Sequence, residues 1–532
     1  MPTLSPSSPT VRLRRVSITL VFVFAYLALM FHSSASSLIS TRNVSPRAAK
    51  IAPKQGRQGA ASCPTCAPPT TQVIYAPLID VPEALSSEIV LNCRSAHDID
   101  VTPTLYTMEG RAIGGEVIHL RPAEMRFVDT KSLIPARERF LHRWGGMSLS
   151  YTGNLLEVWA QLTLKGLLGG GSANVFFAVV NLPRANTIES VWWMPPGAEA
   201  LIALGNSSNQ PAHATLIFRN GVSRIVDIEP FATKIVRRSE VLGLLSSDAD
   251  RAQAVSINYT GAAGSLIPTG FITSAQGRFT STIRFYNPPN VVQPNLYANN
   301  LRLKDATPHM VLRNTSSQFV MARPRFLTAE GATAVELRAQ RLAPAETLEV
   351  NLRTLLVAAR NRSDLDSVSV QVTNDGAPGS LIGALYSQHQ TTGVTYDVPL
   401  RDSGSPRAST GAYPVRLDAD YTTVLSITNV TDNRGEFTLQ VNYDGGTYEL
   451  GLVTANPRET KNFDIRKLRD EQTPDRNGHT LPREMTTGQI RWSIRGNGTI
   501  PMTGRAEVVS LHDGVSSSYS CTTCCPNSHY DG

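Results

Sequence analysis

Charge is scarce in this chain. Asp, Glu, Lys and Arg make up 17% of the 532 residues, and the first 57 contain no acid at all. A chain with so few charges is not a solvated disordered polymer, and it lacks the charged positions of a long coiled coil. Its 38 glycines and 34 prolines follow no three-residue period, which excludes a collagen-like helix. Only one long hydrophobic run occurs, so a multi-span channel or transporter is excluded. No HExxH, GxSxG or GxxxxGK[ST] is present, and the ten histidines are scattered, so no catalytic motif, cofactor cradle or triad announces itself. The net charge of +7 does not mark a nucleic-acid binder. Arg12, Arg14, Arg15, Arg42, Arg47, Lys50, Lys54 and Arg57 carry all of it, and the remaining residues hold 42 basic against 43 acidic side chains.

The single hydrophobic run, Val16–Phe31, follows Arg12, Arg14 and Arg15 and enters a membrane. Its length lies between a secretory h-region and a spanning helix, so residues 1–37 read as a signal peptide or a signal anchor. The arginines favour the cytoplasmic side. The remainder is expected outside, anchored at an inner membrane and facing the periplasm, or secreted or at the cell surface if the signal is cleaved. Residues 38–71, rich in Ser, Ala, Pro and Thr, read as a flexible stalk.

The rest is repetitive. GAAGSLI at 261–267 returns as GAPGSLI at 376–382. A strand-like run ends in Asn92, Asn206, Asn314 and Asn429; a proline follows at Pro122, Pro230, Pro344 and Pro457; a further strand reaches Gly153, Gly261, Gly376 and Gly496. Three landmarks in one order, four times, at steps of 108 to 120 residues, argue duplication of a module. Apolar and polar residues alternate within each copy, as in Ala214 to Phe218 and Phe437 to Val441, the period of a half-buried strand. The expected fold is therefore all-β: four tandem antiparallel β-sandwich modules at 72–182, 190–290, 295–402 and 411–515, with about eight strands each and single helical turns near Arg353 to Ala358 and Asp464 to Arg469. A Cys-rich tail at 516–532 follows.

The N-x-S/T turns, the strand pair LAPAETLEVNL (342–352), the GAxGSLI hairpin, and the segments LRNTS (312–316) and YDVPLRDSG (396–404) carry a resemblance. The array resembles the immunoglobulin-like or fibronectin-like modules of exported bacterial proteins over roughly residues 88–525. That resemblance implies a sandwich fold and an exported location, and no activity.

Of the six cysteines, Cys63, Cys66, Cys521, Cys524 and Cys525 flank the array and Cys93 lies within its first module. In an oxidising compartment they are expected as structural disulfides or cross-links; a zinc site from CPTC and CTTCC is the weaker reading, because its halves lie so far apart. The acidic pairs Asp98/Asp100, Asp248/Asp250, Asp364/Asp366 and Asp418/Asp420 read as solvated loops rather than calcium sites. Trp144, Trp159, Trp192, Trp193 and Trp492 read as core before carbohydrate platform. His119, His213, His309 and His389 read as surface or satisfied side chains. Asn43, Asn206, Asn258, Asn314, Asn361, Asn429 and Asn497 each begin an N-x-S/T triplet, which a glycosylating host would modify.

No cofactor, metal or nucleic acid is expected. The function expected is non-enzymatic: a structural, adhesive or partner-binding protein that meets the membrane through its N-terminal segment if that segment is uncleaved, and an unidentified protein or carbohydrate through its modules. Two alternatives stand beside it, a hydrolase or accessory protein acting on extracellular polysaccharide, and a periplasmic assembly factor that binds by strand addition.

Overall fold

Alternation decides the local structure. In Ala212–Phe218 the residues Ala212, Ala214, Leu216 and Phe218 are buried while His213 and Ile217 face solvent. Leu216 and Phe218 each contribute about 1.5–3 kcal/mol on burial, enough to fix the register of the strand. The computed structural model describes residues 70–520, apart from short stretches at 80–83, 140, 167–170, 181–184, 220, 244–250, 275–277, 363, 392, 403–409, 496–500 and 513–514. It is 58% strand and 7% helix, so the all-β class holds.

The eight sheets fall into four pairs with one recurring order. In the second module the front sheet runs Ser223–Ile228, Ala212–Phe218, Ala252–Thr260, then the lead strand Thr187–Trp193, then Phe285–Tyr286. Its back sheet runs Thr233–Arg237, the strand Glu199–Asn206 that ends in the landmark asparagine, Leu266–Thr273, and a last strand Phe279–Ile283. The other three modules repeat the back sheet strand for strand. Between the two sheets lies one hydrophobic core per module, for example Ile188, Trp192, Ile202, Leu216, Ile257 and Ile272.

The recurring proline opens a tight turn. The residue after it, Ala123, Phe231, Ala345 or Arg458, has φ between 58° and 61°, and the next N–H donates back to the carbonyl of Arg121, Glu229, Ala343 or Asn456. This is a proline-led type II turn that holds a non-glycine residue in the left-handed region. In three copies a glutamate secures it: the backbone N–H groups of Arg121, Ala343 and Asn456 donate to Glu124, Glu346 and Glu459 at 2.6 Å each. The second module has Ala232 at that place.

The described residues belong to one compact unit. The lead strand of each module packs against the back sheet of the next: Thr70–Pro77 on the second module, Thr187–Trp193 on the third, Leu296–Arg302 on the fourth. The lead strand of the fourth, Thr410–Arg416, packs against Ala84–Cys93 of the first. The four last strands likewise touch in succession, and the fourth touches the first. A head-to-tail contact repeated four times thus closes on itself. Both faces of the back-sheet strands are covered, which explains the unbroken burial of Leu266–Thr273.

Several boundaries differ from the sequence reading: Thr70 and Thr71, assigned there to the stalk, open the first lead strand, and the second and fourth lead strands begin at Thr187 and Thr410, ahead of the assigned module starts. Residues 516–520, assigned there to the tail, complete the fourth module as its last strand, Val515–Ser520. Arg353–Asn361 forms a nine-residue helix rather than a single turn. Among the described residues no helix is long and apolar enough to cross a membrane; Val16–Phe31 and nearly all of 38–71 lie outside them.

Candidate functional site

The landmark asparagines are locks. Asn314 Nδ2 donates to the carbonyls of Gln318 (2.6 Å), Leu342 (3.2 Å) and Ala343 (3.0 Å), and Oδ1 accepts from the N–H (2.9 Å) and hydroxyl (2.8 Å) of Ser316. Asn206 makes the same five bonds to Gln210, Ile228, Glu229 and Ser208, and Asn429 to Asn433, Ala455, Asn456 and Thr431. One fully buried amide therefore ties a strand end to the proline turn. The hydroxyl of the N-x-S/T triplet serves this lock, and the amide nitrogen that a glycan would need is sealed inside it. Among the other described triplets, Asn258 and Asn361 are exposed.

Asn92 departs from the pattern. Cys93 and Arg94 follow it, so no hydroxyl is available, and its side chain reaches the fourth module instead: Nδ2 donates to the Ala412 carbonyl (3.4 Å) and Oδ1 accepts from Gln489.

Charged pairs stitch the seams between modules. Arg313 Nε donates to Glu189 at 2.9 Å across the second and third. Arg284 donates twice to Asp397, at 2.6 and 2.9 Å, across the same pair of modules. Arg416 Nη1 meets Glu88 at 2.7 Å across the fourth and first. Arg302 and Arg505 converge on Glu507, at 2.6 and 2.8 Å, where the third and fourth meet. Burial by itself would raise the Glu507 carboxyl, but the two guanidinium groups outweigh it and hold the group below its ordinary value. Arg416 loses hydration on burial, yet its bonds to Asp418 and Glu88 keep it charged.

Beside Arg302 lies a cleft of about 680 Å³ between the third and fourth modules. Arg302, Lys304 and Lys467 line it together with Asp305, Asp366, Asp464 and Glu471, so its walls carry both signs. Lys304 pairs with Asp366 at 3.8 Å, Lys467 with Glu471 at 3.9 Å, and Asp464 caps a helix by accepting from the Lys467 N–H. The aromatic rings at its edge belong to Tyr396 and Phe463.

All five tryptophans are buried, the most accessible being Trp159 at 5%. No carbohydrate platform can be built from them. His119 pairs with Asp100 at 2.5 Å and His213 with Asp227 at 2.7 Å, and His309 stacks on Trp193 at 3.8 Å. Asp364 and Asp418 bind Arg362 and Arg416, and Asp420 accepts from Ser510 and the His512 N–H. Among the described residues no group of three or more His, Cys, Asp or Glu side chains is placed to hold a metal ion. Cys93 is a buried free thiol whose pKa burial pushes up, which makes it a weak nucleophile. Cys63, Cys66, Cys521, Cys524 and Cys525 lie outside the described residues, as do Asp248 and Asp250.

Sequence reasoning missed the seams. The one signal that could have found them is an apolar run too continuous for a half-buried strand, such as Ala200 to Leu204. No protein-family model matches the chain, and no curated protein matches it.

Proposed function

We propose that this protein is a non-enzymatic scaffold, exported or anchored at a membrane, whose four modules act as one body and present a partner-binding surface. The closed succession of module contacts carries this reading. It consumes the lead strands and back sheets in holding the body together, and leaves the hairpin edges of the front sheets to meet other molecules. The buried tryptophans and the self-paired charges of the cleft speak against the polysaccharide hydrolase.

One observation favours binding by strand addition as the mode. In the first and third modules the front-sheet edge is broken into short pieces, Ala112–Gly114 with Ile118–Leu120 and Thr333–Glu336 with Gln340–Leu342, a common protection against pairing. In the fourth, the Arg476 N–H and the Asp475 carboxylate bond the Glu449 backbone on the edge strand. The edge strand of the second, Ser223–Ile228, is unbroken, and Ile225 on it is 70% exposed beside Ile217 and Val222. A photo-reactive residue in place of Val222 in the full chain, expressed in its own host, tests this. Cross-linking to one partner, lost in an Ile225→Lys chain of unchanged melting temperature, supports the reading. Turnover of a polysaccharide by the purified chain, abolished by Asp464→Asn, would replace it with the hydrolase.

A further inference from the structure

The four seams are not built alike. Leu201, Ala203 and Phe271 of the second module join the core of the first. Val311, Ile382, Ala384 and Tyr386 of the third join the core of the second. Val90, Met125 and Trp159 of the first join the core of the fourth. Among the described residues the core of the third module takes in no residue of the fourth. The buried apolar cluster that spans those two is small: Val394, Tyr396 and Val509.

Polar groups fill the rest of that seam. The pairing register of the lead strand Leu296–Arg302 shifts between Ala298 and Leu301, and Asn300 stands at φ 57°, so a bulge turns Asn299 toward the fourth module. Asn299 Nδ2 donates to the Thr503 carbonyl (2.8 Å), and Thr503 Oγ1 donates to Asn299 Oδ1 (2.8 Å). The Ser369 and Thr460 hydroxyls meet at 2.5 Å, and Arg458 Nη1 donates to Gln371 at 2.8 Å. The Arg302–Glu507 pair and the 680 Å³ cleft lie along the same seam, and Arg302 is 32% exposed. Water can replace each of these bonds with water–protein bonds of similar strength, whereas parting the other three seams would expose contiguous apolar surface.

We propose that the seam between the third and fourth modules is the joint at which this body opens, the fourth module moving with the first through their shared core. Opening widens the cleft and bares the row Asn299, Ser369, Thr428, Thr460 and Glu507, while the other three seams stay closed.

Two matched amides test it. The Thr460 N–H donates to the Ala329 carbonyl of the preceding module at 2.8 Å, and the Thr233 N–H donates to the Met108 carbonyl at 3.1 Å, at the equivalent place between the first and second modules. In both, a glycine hairpin seats against the proline turn: a Cβ on Gly110 would strike the Pro230 carbonyl, and one on Gly331 that of Pro457. Hydrogen exchange on the full chain should show amide 460 at least about tenfold less protected than amide 233, with Leu425 inside the fourth module remaining protected. Glu507→Gln should widen the gap without changing amide 233. Oxidised Ser369→Cys/Thr460→Cys should abolish it, and if that variant does not fold, Arg302→Gln should widen the gap as Glu507→Gln does. Equal protection of the two amides, loss of protection at Leu425 together with 460, or fast exchange persisting in the cross-linked chain would each overturn the proposal.

Discussion

Asn92 and Asn314 occupy the same place in two copies of one module, and they do different work. Asn314 spends its whole hydrogen-bonding capacity inside its own module, tying the end of its strand to the proline turn. Asn92, followed by Arg94 instead of a hydroxyl residue, turns outward to Ala412 and Gln489 and helps join the fourth module to the first. The comparison teaches that a landmark residue in a repeat keeps its strand end but takes its partner from the residue two positions on. Arg94 itself sits poorly. Burial, with the like charge of Arg491 adding to it, lowers its pKa to about 10, and its Nη1 has no hydrogen-bond partner.

The comparison breaks if the three internal locks do not outweigh Asn92. Asn314→Ala, which leaves three carbonyls without their donor, should cost about 3 kcal/mol in denaturant unfolding of the full chain, and Asn206→Ala and Asn429→Ala should match it. Acid separates a neutral lock from a charged seam. Because the Glu507 pKa is depressed, its contribution is complete above the ordinary glutamate value of about 4.3 and is lost as pH falls through the lower folded value. Thermal scans of Glu507→Gln against the parent should therefore converge only once the pH has fallen below the depressed Glu507 value, whereas Asn314→Ala should stay less stable at every pH. For Asn92, a double-mutant cycle with Gln489→Ala should give a coupling of about 1 kcal/mol, and the cycle of Asn314→Ala with Gln489→Ala should give none. The smallest effect sharpens the point: Arg94→Ser removes the half-buried cation and restores the missing hydroxyl, and should stabilise the chain by about 0.5–1 kcal/mol in the same assay.

Strand alternation and the Asn and Pro landmarks made the all-β class legible, because a residue buried on one face leaves a period of two. The polar last strand of the fourth module, Val515–Ser520, left no such trace. Ser516, Ser517 and Ser518 are all buried, but they meet polar partners: Ser172 donates to the Ser516 carbonyl at 3.3 Å, Ser517 lies 3.3 Å from the Thr163 hydroxyl, and Ser518 accepts from Arg505 Nε at 2.8 Å, so burial there needed no apolar residue. The left-handed residues after the prolines were equally silent, since Ala123, Phe231, Ala345 and Arg458 carry none of the glycine signal that such a backbone ordinarily demands. The closure of the four modules was hidden for a different reason. Its contacts join residues as distant in sequence as Asn92 and Gln489, and a pattern read along the chain reports each strand's faces without saying which neighbour covers them.

Among the described residues, the contact between the first and fourth modules is the one seam that no chain segment crosses. Tension applied between Thr70 and Ser520 would therefore bear first on Trp159 against Tyr519 and on Arg416 against Glu88, and this pairing would act as the molecule's clasp, yielding before any module is unravelled.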